Sequence, residues 1–370
     1  MTSVVHSAVM ATYARADVTF VDGEGCWLLA GDGRRYLDFA GGIAVVGLGH
    51  RHPAPLAAAH RQLDRLWHVS NLFWSEPMTE LAALLSERFG GAAAFFCNSG
   101  AEANEAAIKY ARKATGKPGI VALEGSFHGR TTGALAATGQ PAKRAAFEPL
   151  LPGVAFARLN DVASLEAAVG PETGLLLIEP VQGEGGVLPA TPGFVAAAAE
   201  LAAEHGALVC LDEVQTGVGR TGSFFAFEQL GVRPHLVTLA KGLANGLPIG
   251  ALLAADDAPT GLEPGDHAST FGGNPVACAA ACAVVESVDD ELLANVRDRS
   301  AQLAEALPVR GKGLLLALEV ESAADTVADC LDAGLLVTSA GPTTVRITPP
   351  LTVRADEVAQ AVAILEEVLA

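Results

Sequence analysis

The sequence predicts an α/β protein with a large domain on a mostly parallel sheet and a smaller α+β domain at the C-terminus. Three observations predict it. Between residues 92 and 253, short and nearly unbroken apolar runs alternate with Ala-rich stretches of helical length, the pattern of strands covered on both faces by helices. The polar residues with chemical capacity follow those runs directly, and ligands of such sheets sit beyond the carboxyl ends of the strands. After Gln302 the texture changes to alternating short strands and two helices, without the long βα rhythm.

Taken in order, the first fifty residues carry turn signals at Asp22-Gly23 and Asp32-Gly33 and predict a small hairpin. Strands are expected over 93–97, 119–123, 175–178, 207–211 and 236–239, and a helix over 104–114. A helical stretch from Pro275 leads out of the large domain. Beyond it the pattern predicts strands over 314–320, 335–337 and 344–348 and helices over 324–333 and 355–369. The expected division is an N-terminal segment, 1–50, packed with the small domain, a large domain over 51–275 and the small domain over 276–370. Neither repeats nor a low-complexity linker interrupt this order.

The 370 residues have room for two or three domains at roughly 100–200 residues each. Half are hydrophobic and 18% charged, which excludes a disordered chain, and with 5% aromatics the core must be built from Ala, Val and Leu. A formal net charge of −18 argues against nucleic acid, whose affinity depends on Lys and Arg, so the expected partners are small molecules. The N-terminus lacks a basic stretch followed by a long apolar one, and no segment reaches about 18 uninterrupted apolar residues. A cytoplasmic protein without membrane contact is therefore expected. The cysteines, at 26, 97, 210, 278, 282 and 330, sit mostly in apolar runs and read as small buried hydrophobes in a reducing compartment. Cys278 and Cys282 are one helical turn apart but have no third ligand nearby, so no metal is expected.

Gly217-Val-Gly-Arg-Thr-Gly222 matches the dinucleotide pattern G-x-G-x-x-G but follows its strand several residues too late. At the next strand tip stands Lys241, which cannot accept a hydrogen bond from a ribose hydroxyl, so a nicotinamide oxidoreductase is set aside. Four strand ends carry other chemistry. Asn98-Ser-Gly-Ala-Glu-Ala-Asn104 opens a helix with small residues, a seat for phosphate or an ordinary Ser cap. Phe127-His-Gly-Arg130 offers an exposed Phe-His pair, a flat surface for an aromatic ring, and a cation for a carboxylate, or else a packed Phe with a solvated Arg. Asp212 ends a buried strand, where a carboxylate needs a partner such as a protonated ring nitrogen. Burial of Lys241 favours an amine able to form an imine; a plain Asp–Lys salt bridge is the alternative. Together these four match the phosphate, ring face, ring nitrogen and aldehyde of pyridoxal 5′-phosphate.

The chain resembles the class III pyridoxal-phosphate aminotransferases over essentially its whole length. The resemblance is carried by Arg35-Tyr-Leu-Asp-Phe39, GGIAVVGLGHRHP from Gly41, SGAEANE from Ser99, FHGRT from Phe127, IEPVQGEGG from Ile178, LDEVQTGVGRTG from Leu211, LAKGLANGLPIG from Leu239 and STFGGNP from Ser269. With HVSNLFWSEP from His68, it is closest to the acetylornithine branch. The resemblance implies the type I fold of PLP-dependent transferases, and transfer of the δ-amino group of N2-acetyl-L-ornithine to 2-oxoglutarate, a step of arginine biosynthesis. Relatives acting on ornithine, 4-aminobutyrate or succinyl-diaminopimelate, and aminomutases or racemases of the same fold, share most of these motifs.

It further implies Lys241 as the lysine that carries the cofactor, Asp212 at the ring nitrogen, and Val214 and Gln215 beside the ring. Phosphate would be held by Ser99, Gly100 and Ala101, with Phe127 stacked on the ring and Thr270 supplied by the other subunit of a homodimer. Arg130 and Ser269 are implied for the acetylornithine contact. Glu184 and Arg346 resemble the switchable pair of the ω-aminotransferases. The G-x-G-x-x-G stretch then becomes a surface or interface loop. Contacts that relatives make through residues ahead of position 10 are expected to be absent.

Overall fold

Seven strands organise the large unit in a computed structural model that describes residues 8–370. Their order is Ala92–Cys97, Gly250–Ala255, Leu236–Leu239, Leu208–Asp212, Thr173–Ile178, Gly119–Leu123, Val154–Ala157. Pairings are parallel except those of Gly250–Ala255, which runs against both neighbours. Alternate residues feed two cores: Leu176, Val209 and Val237 face one, Leu175, Leu208 and Leu236 the other. On the first face lie helices Glu76–Phe89 and Pro192–Glu204, on the second Gly100–Thr115, whose Ala106, Ala107 and Ala111 lie in that core. Alanine suits this position because it favours helix and adds no bulk.

Each of the five strands expected in this unit is present. The two unforeseen ones are Val154–Ala157, a four-residue edge, and the reversed Gly250–Ala255.

The small unit pairs Arg310–Lys312, Leu315–Glu319, Thr344–Ile347 and Thr338–Ser339 antiparallel, and helices Asp290–Ala306, Ala323–Ala333 and Ala355–Leu369 contribute to its core. The N-terminal strands Phe20–Glu24, Trp27–Ala30 and Arg35–Asp38 form a meander, and Leu335–Leu336 adds to it in parallel. Leu37 and Phe39 share the core of the small unit. One detail differs from the sequence reading. Asp22-Gly23 lies within the first strand, at a register shift, and the chain reverses instead at Gly25, whose φ of +56 suits glycine. Helix Pro275–Ser287 buries Ala277, Cys278, Ala281 and Val284 in the large core, so we propose the division between the units beyond it, at Asp289. Residues 1–7, which belong to the proposed N-terminal segment, lie outside the described residues.

The loop Gly217–Gly222 is an interior connection and does not lie on the surface. Arg220 is buried and donates to the carbonyls of Leu314 (3.1 Å) and Pro349 (2.5 Å), tying the sheet to the small unit. Among the described residues no helix is long and apolar enough to cross a membrane.

Candidate active site

Beyond the carboxyl ends of the central strands lies a cavity of about 390 Å³, lined among others by Ser99, Gly100, Ala101, Phe127, Asp212, Val214, Gln215 and Lys241. Four separate strand ends thus converge on one space.

Ser99 caps helix Gly100–Thr115: its Oγ accepts from Glu102 N at 3.3 Å, and Glu102 Oε2 accepts from Asn98 N at 2.9 Å. Gly100 and Ala101 belong to the first turn, whose N–H groups have no intrahelical acceptor and lie at the positive end of the helix dipole. A Cβ at Gly100 would stand 2.7 Å from Val214 Cγ1, so only glycine lets the turn sit this close to the opposite wall. The turn that Ser99 caps is the one whose free N–H groups lie at the cavity.

Asp212 is the last residue of the central strand and is buried. Its Oδ2 accepts from Asn104 Nδ2 (2.8 Å) and pairs with His128 Nδ1 (2.7 Å); its Oδ1 accepts from Val214 N (3.0 Å). Thr238 Oγ1 donates to Asn104 Oδ1 at 2.9 Å, which turns the amide NH2 toward the carboxylate. Donors thus fix both oxygens in direction. Asn104 and His128 were not singled out from the sequence, and the reading of an exposed Phe-His pair is corrected: the His128 side chain is fully buried behind Asp212. The signal for Asn104 was present, as a lone amide on an otherwise Ala-rich buried helix face.

Lys241 follows strand Leu236–Leu239 with φ +41, a left-handed backbone that costs a non-glycine residue of order 1–3 kcal/mol and that clusters at functional sites. Burial first, and then the Arg346 cation, lower the basicity of its amine to about 8. Glu184, Asp212 and Glu179 pull the other way. An amine so tuned is partly free near neutral pH and can attack a carbonyl.

Phe127 forms one wall, with the Arg130 guanidinium 5.5 Å and Lys143 Nζ 4.8 Å from its ring centre. Its N–H donates to Glu179 Oε2 at 2.9 Å. Behind the cavity, Arg346 is 1% exposed. Its Nη1 donates to Glu184 Oε1 (2.5 Å), Gly183 O (3.0 Å) and Gln215 Oε1 (3.1 Å), and its Nε to Thr338 Oγ1 (3.2 Å). Burial raises the Glu184 carboxyl, but Arg346, with Lys241 and Lys143, pulls it below its ordinary value. Gln215 therefore joins the cavity to the buried ion pair, which the sequence did not reveal.

Ser269 and Thr270 stand apart. Ser269 Oγ accepts from Asn98 Nδ2 at 3.2 Å, while Thr270 is exposed and lines a small recess with His68, Asn71 and Met78. Among the described residues no group of three or more acidic, His or Cys side chains could hold a metal ion.

On a sheet of this topology, an imine-competent lysine one strand from a buried carboxylate defines a PLP-dependent transferase of type I fold. The chain belongs to the class III aminotransferases: the family model "Aminotransferase class-III" matches residues 9–369. It is 48% identical to an acetylornithine aminotransferase of Gloeobacter violaceus, over 98% of this chain and 96% of that one. It is 50% identical to an acetylornithine aminotransferase of Streptomyces coelicolor, over 95% and 90% of the two chains. Among solved structures, it resembles the ornithine aminotransferase of Toxoplasma gondii (TM-score 0.93, 31% identity, 98% and 92% coverage). It also resembles a PLP-bound amine transaminase of an uncultivated Pseudomonas species (TM-score 0.89, 28% identity, 97% and 96% coverage). The cofactor of the family is pyridoxal 5′-phosphate, and the cavity fits it: bare N–H groups for a phosphate, a flat aromatic wall, a fixed carboxylate and a weakly basic lysine.

Proposed function

We propose that the chain transfers the δ-amino group of N2-acetyl-L-ornithine to 2-oxoglutarate, giving N-acetyl-L-glutamate 5-semialdehyde and L-glutamate, a step of arginine biosynthesis in the cytoplasm. The observation that carries this reading is the buried Arg346–Glu184 pair beside the cavity. Glutamate must bring its α-carboxylate next to the reacting carbon, where acetylornithine has only methylenes. A bare buried cation there would be costly while acetylornithine is bound, and a permanently neutralised one would reject glutamate.

The residues divide the work. Gly100 and Ala101, under the Ser99 cap, would take the phosphate on backbone N–H groups, and Phe127 and Val214 would hold the ring. Asp212, oriented by Asn104 and His128, would hold the proton of the ring nitrogen. When bound, the protonated ring accepts the electron pair left on the carbon that loses its proton. Lys241, whose amine is weakly basic, would serve as the base that moves this proton. Arg130 meets the carboxylate of acetylornithine at the cavity mouth, and Ser269, bonded to Asn98 of the cavity wall, is the second group assigned to that contact. Glu184 neutralises Arg346 for that donor and leaves it when glutamate enters.

The active unit is a homodimer whose second subunit supplies Thr270. Supporting this, Trp67, Leu72, Phe73, Trp74 and Phe271 are 62–86% exposed. Asn71 donates to Ser269 O and Gly272 O and so joins the two segments into one face that includes Thr270. An apolar face of this kind marks an interaction surface.

Half-reactions of the purified enzyme with N2-acetylornithine, ornithine, succinyl-diaminopimelate and 4-aminobutyrate test the assignment. Acetylornithine is expected to give the highest kcat/KM; faster reaction with an unacylated donor overturns it.

A further inference from the structure

We propose that Glu179 is a positioning residue that sets the choice between the two amino donors, by anchoring the peptide from which Glu184 reaches Arg346. The proposal rests on the reading of Glu184–Arg346 as an opening pair and adds to it what holds the moving side chain in place.

Glu179 follows strand Thr173–Ile178 and is 5% exposed. Its two oxygens serve different loops: Oε2 accepts from Phe127 N at 2.9 Å, and Oε1 from Gly183 N at 3.3 Å. The carbonyl of the same Gly183 accepts from Arg346 Nη1 at 3.0 Å. The residue before Glu184 is thus tied through its N–H to Glu179 and through its C=O to Arg346. A Cβ at Gly183 would stand 2.4 Å from the Gln215 amide, so this backbone also packs flush on a side chain bonded to Arg346. Backbone movement would break all three contacts. The Glu184 side chain, 23% exposed against 1% for Arg346, is the part free to leave.

A buried carboxylate is costly, and burial pushes that of Glu179 up while His128 and the two donated N–H groups pull it back. What the cost sustains is a double acceptor. A glutamine has the same shape but one acceptor oxygen, so it leaves either Phe127 N–H or Gly183 N–H without a partner. With the anchor loosened, Glu184 must be ordered anew each time it pairs with Arg346, and the arginine becomes easier for a substrate carboxylate to win.

The test is equilibrium binding to the holoenzyme of two ligands that lack a transferable amino group, followed by calorimetry. Glutarate presents two carboxylates and needs Arg346. N-acetyl-L-norvaline is acetylornithine without its δ-amino group and needs only the outer contact. In Glu179→Gln the ratio of the two dissociation constants is expected to shift about tenfold toward glutarate, the size of one lost hydrogen bond. If that variant does not fold, Glu179→Asp, whose shorter arm cannot reach both loops, carries the same expectation. Both constants moving by one factor, neither moving, or a shift toward N-acetyl-L-norvaline overturns the proposal, whatever happens to thermal stability. Glu184→Ala separates the two layers. If it shifts the ratio and Glu179→Gln does not, only the anchor is wrong; if neither does, the opening pair fails and the anchor with it.

Discussion

Glu184→Ala removes the one carboxylate that pairs with Arg346 among the described residues. Removing one partner of a buried pair costs about 3–5 kcal/mol when the remaining charge is left bare. Arg346 is not left bare, because Gly183 O, Gln215 Oε1 and Thr338 Oγ1 remain as acceptors. The relevant loss is the charge-assisted bond alone, about 1–3 kcal/mol. That free energy opposes glutamate in the wild type, since its α-carboxylate must displace Glu184, and it supports acetylornithine, beside which the arginine stays neutralised. The variant is expected to move the ratio of the two half-reactions toward glutamate by about 5–150-fold. Single-turnover absorbance measurements with each donor read the ratio directly. Rates that fall by one common factor would refute the reasoning and make the pair a fixed structural bridge.

Asp212→Asn keeps the shape of the strand end but cannot hold the ring proton; it is expected to retain bound cofactor and lose about 10²-fold or more in kcat, each tenfold being about 1.4 kcal/mol of barrier. Near-normal turnover would make Asp212 structural. With the Lys241 amine lowered to about 8, the rate of cofactor attachment to the apoprotein should rise as pH climbs through that value, because only the free amine attacks, and level off above it. A rate independent of pH between 6 and 9 contradicts this. Replacing Leu72 and Trp74, 86% and 84% exposed, by Asp together should yield monomers in sedimentation; an unchanged dimer removes that face from the interface.

The strands were legible because residues buried on both faces leave unbroken apolar runs, and Lys241, Asp212 and the Ser99 turn were legible because each is a polar break at the end of such a run. What the sequence concealed depends on contacts between distant segments. His128 resembles any loop histidine until its ring is seen against Asp212, 84 positions away. Glu179 stands in a motif with other polar residues, and nothing local tells that it bridges Phe127 and Gly183. The stretch 217–222 read as a surface or interface loop because the carbonyls that hold its buried Arg220, those of Leu314 and Pro349, lie far off in the sequence. Gly250–Ala255 was hidden for a different reason, since its apolar run is interchangeable with a parallel strand and only pairing fixes its direction.

The proposed chemistry depends most directly on one side chain, Lys241. Borohydride reduction of the holoenzyme, followed by proteolysis and mass mapping, should find the cofactor fixed to the peptide containing Lys241 and to no other lysine. A label on another lysine, or no label on protein that binds the cofactor, contradicts the assignment of this site.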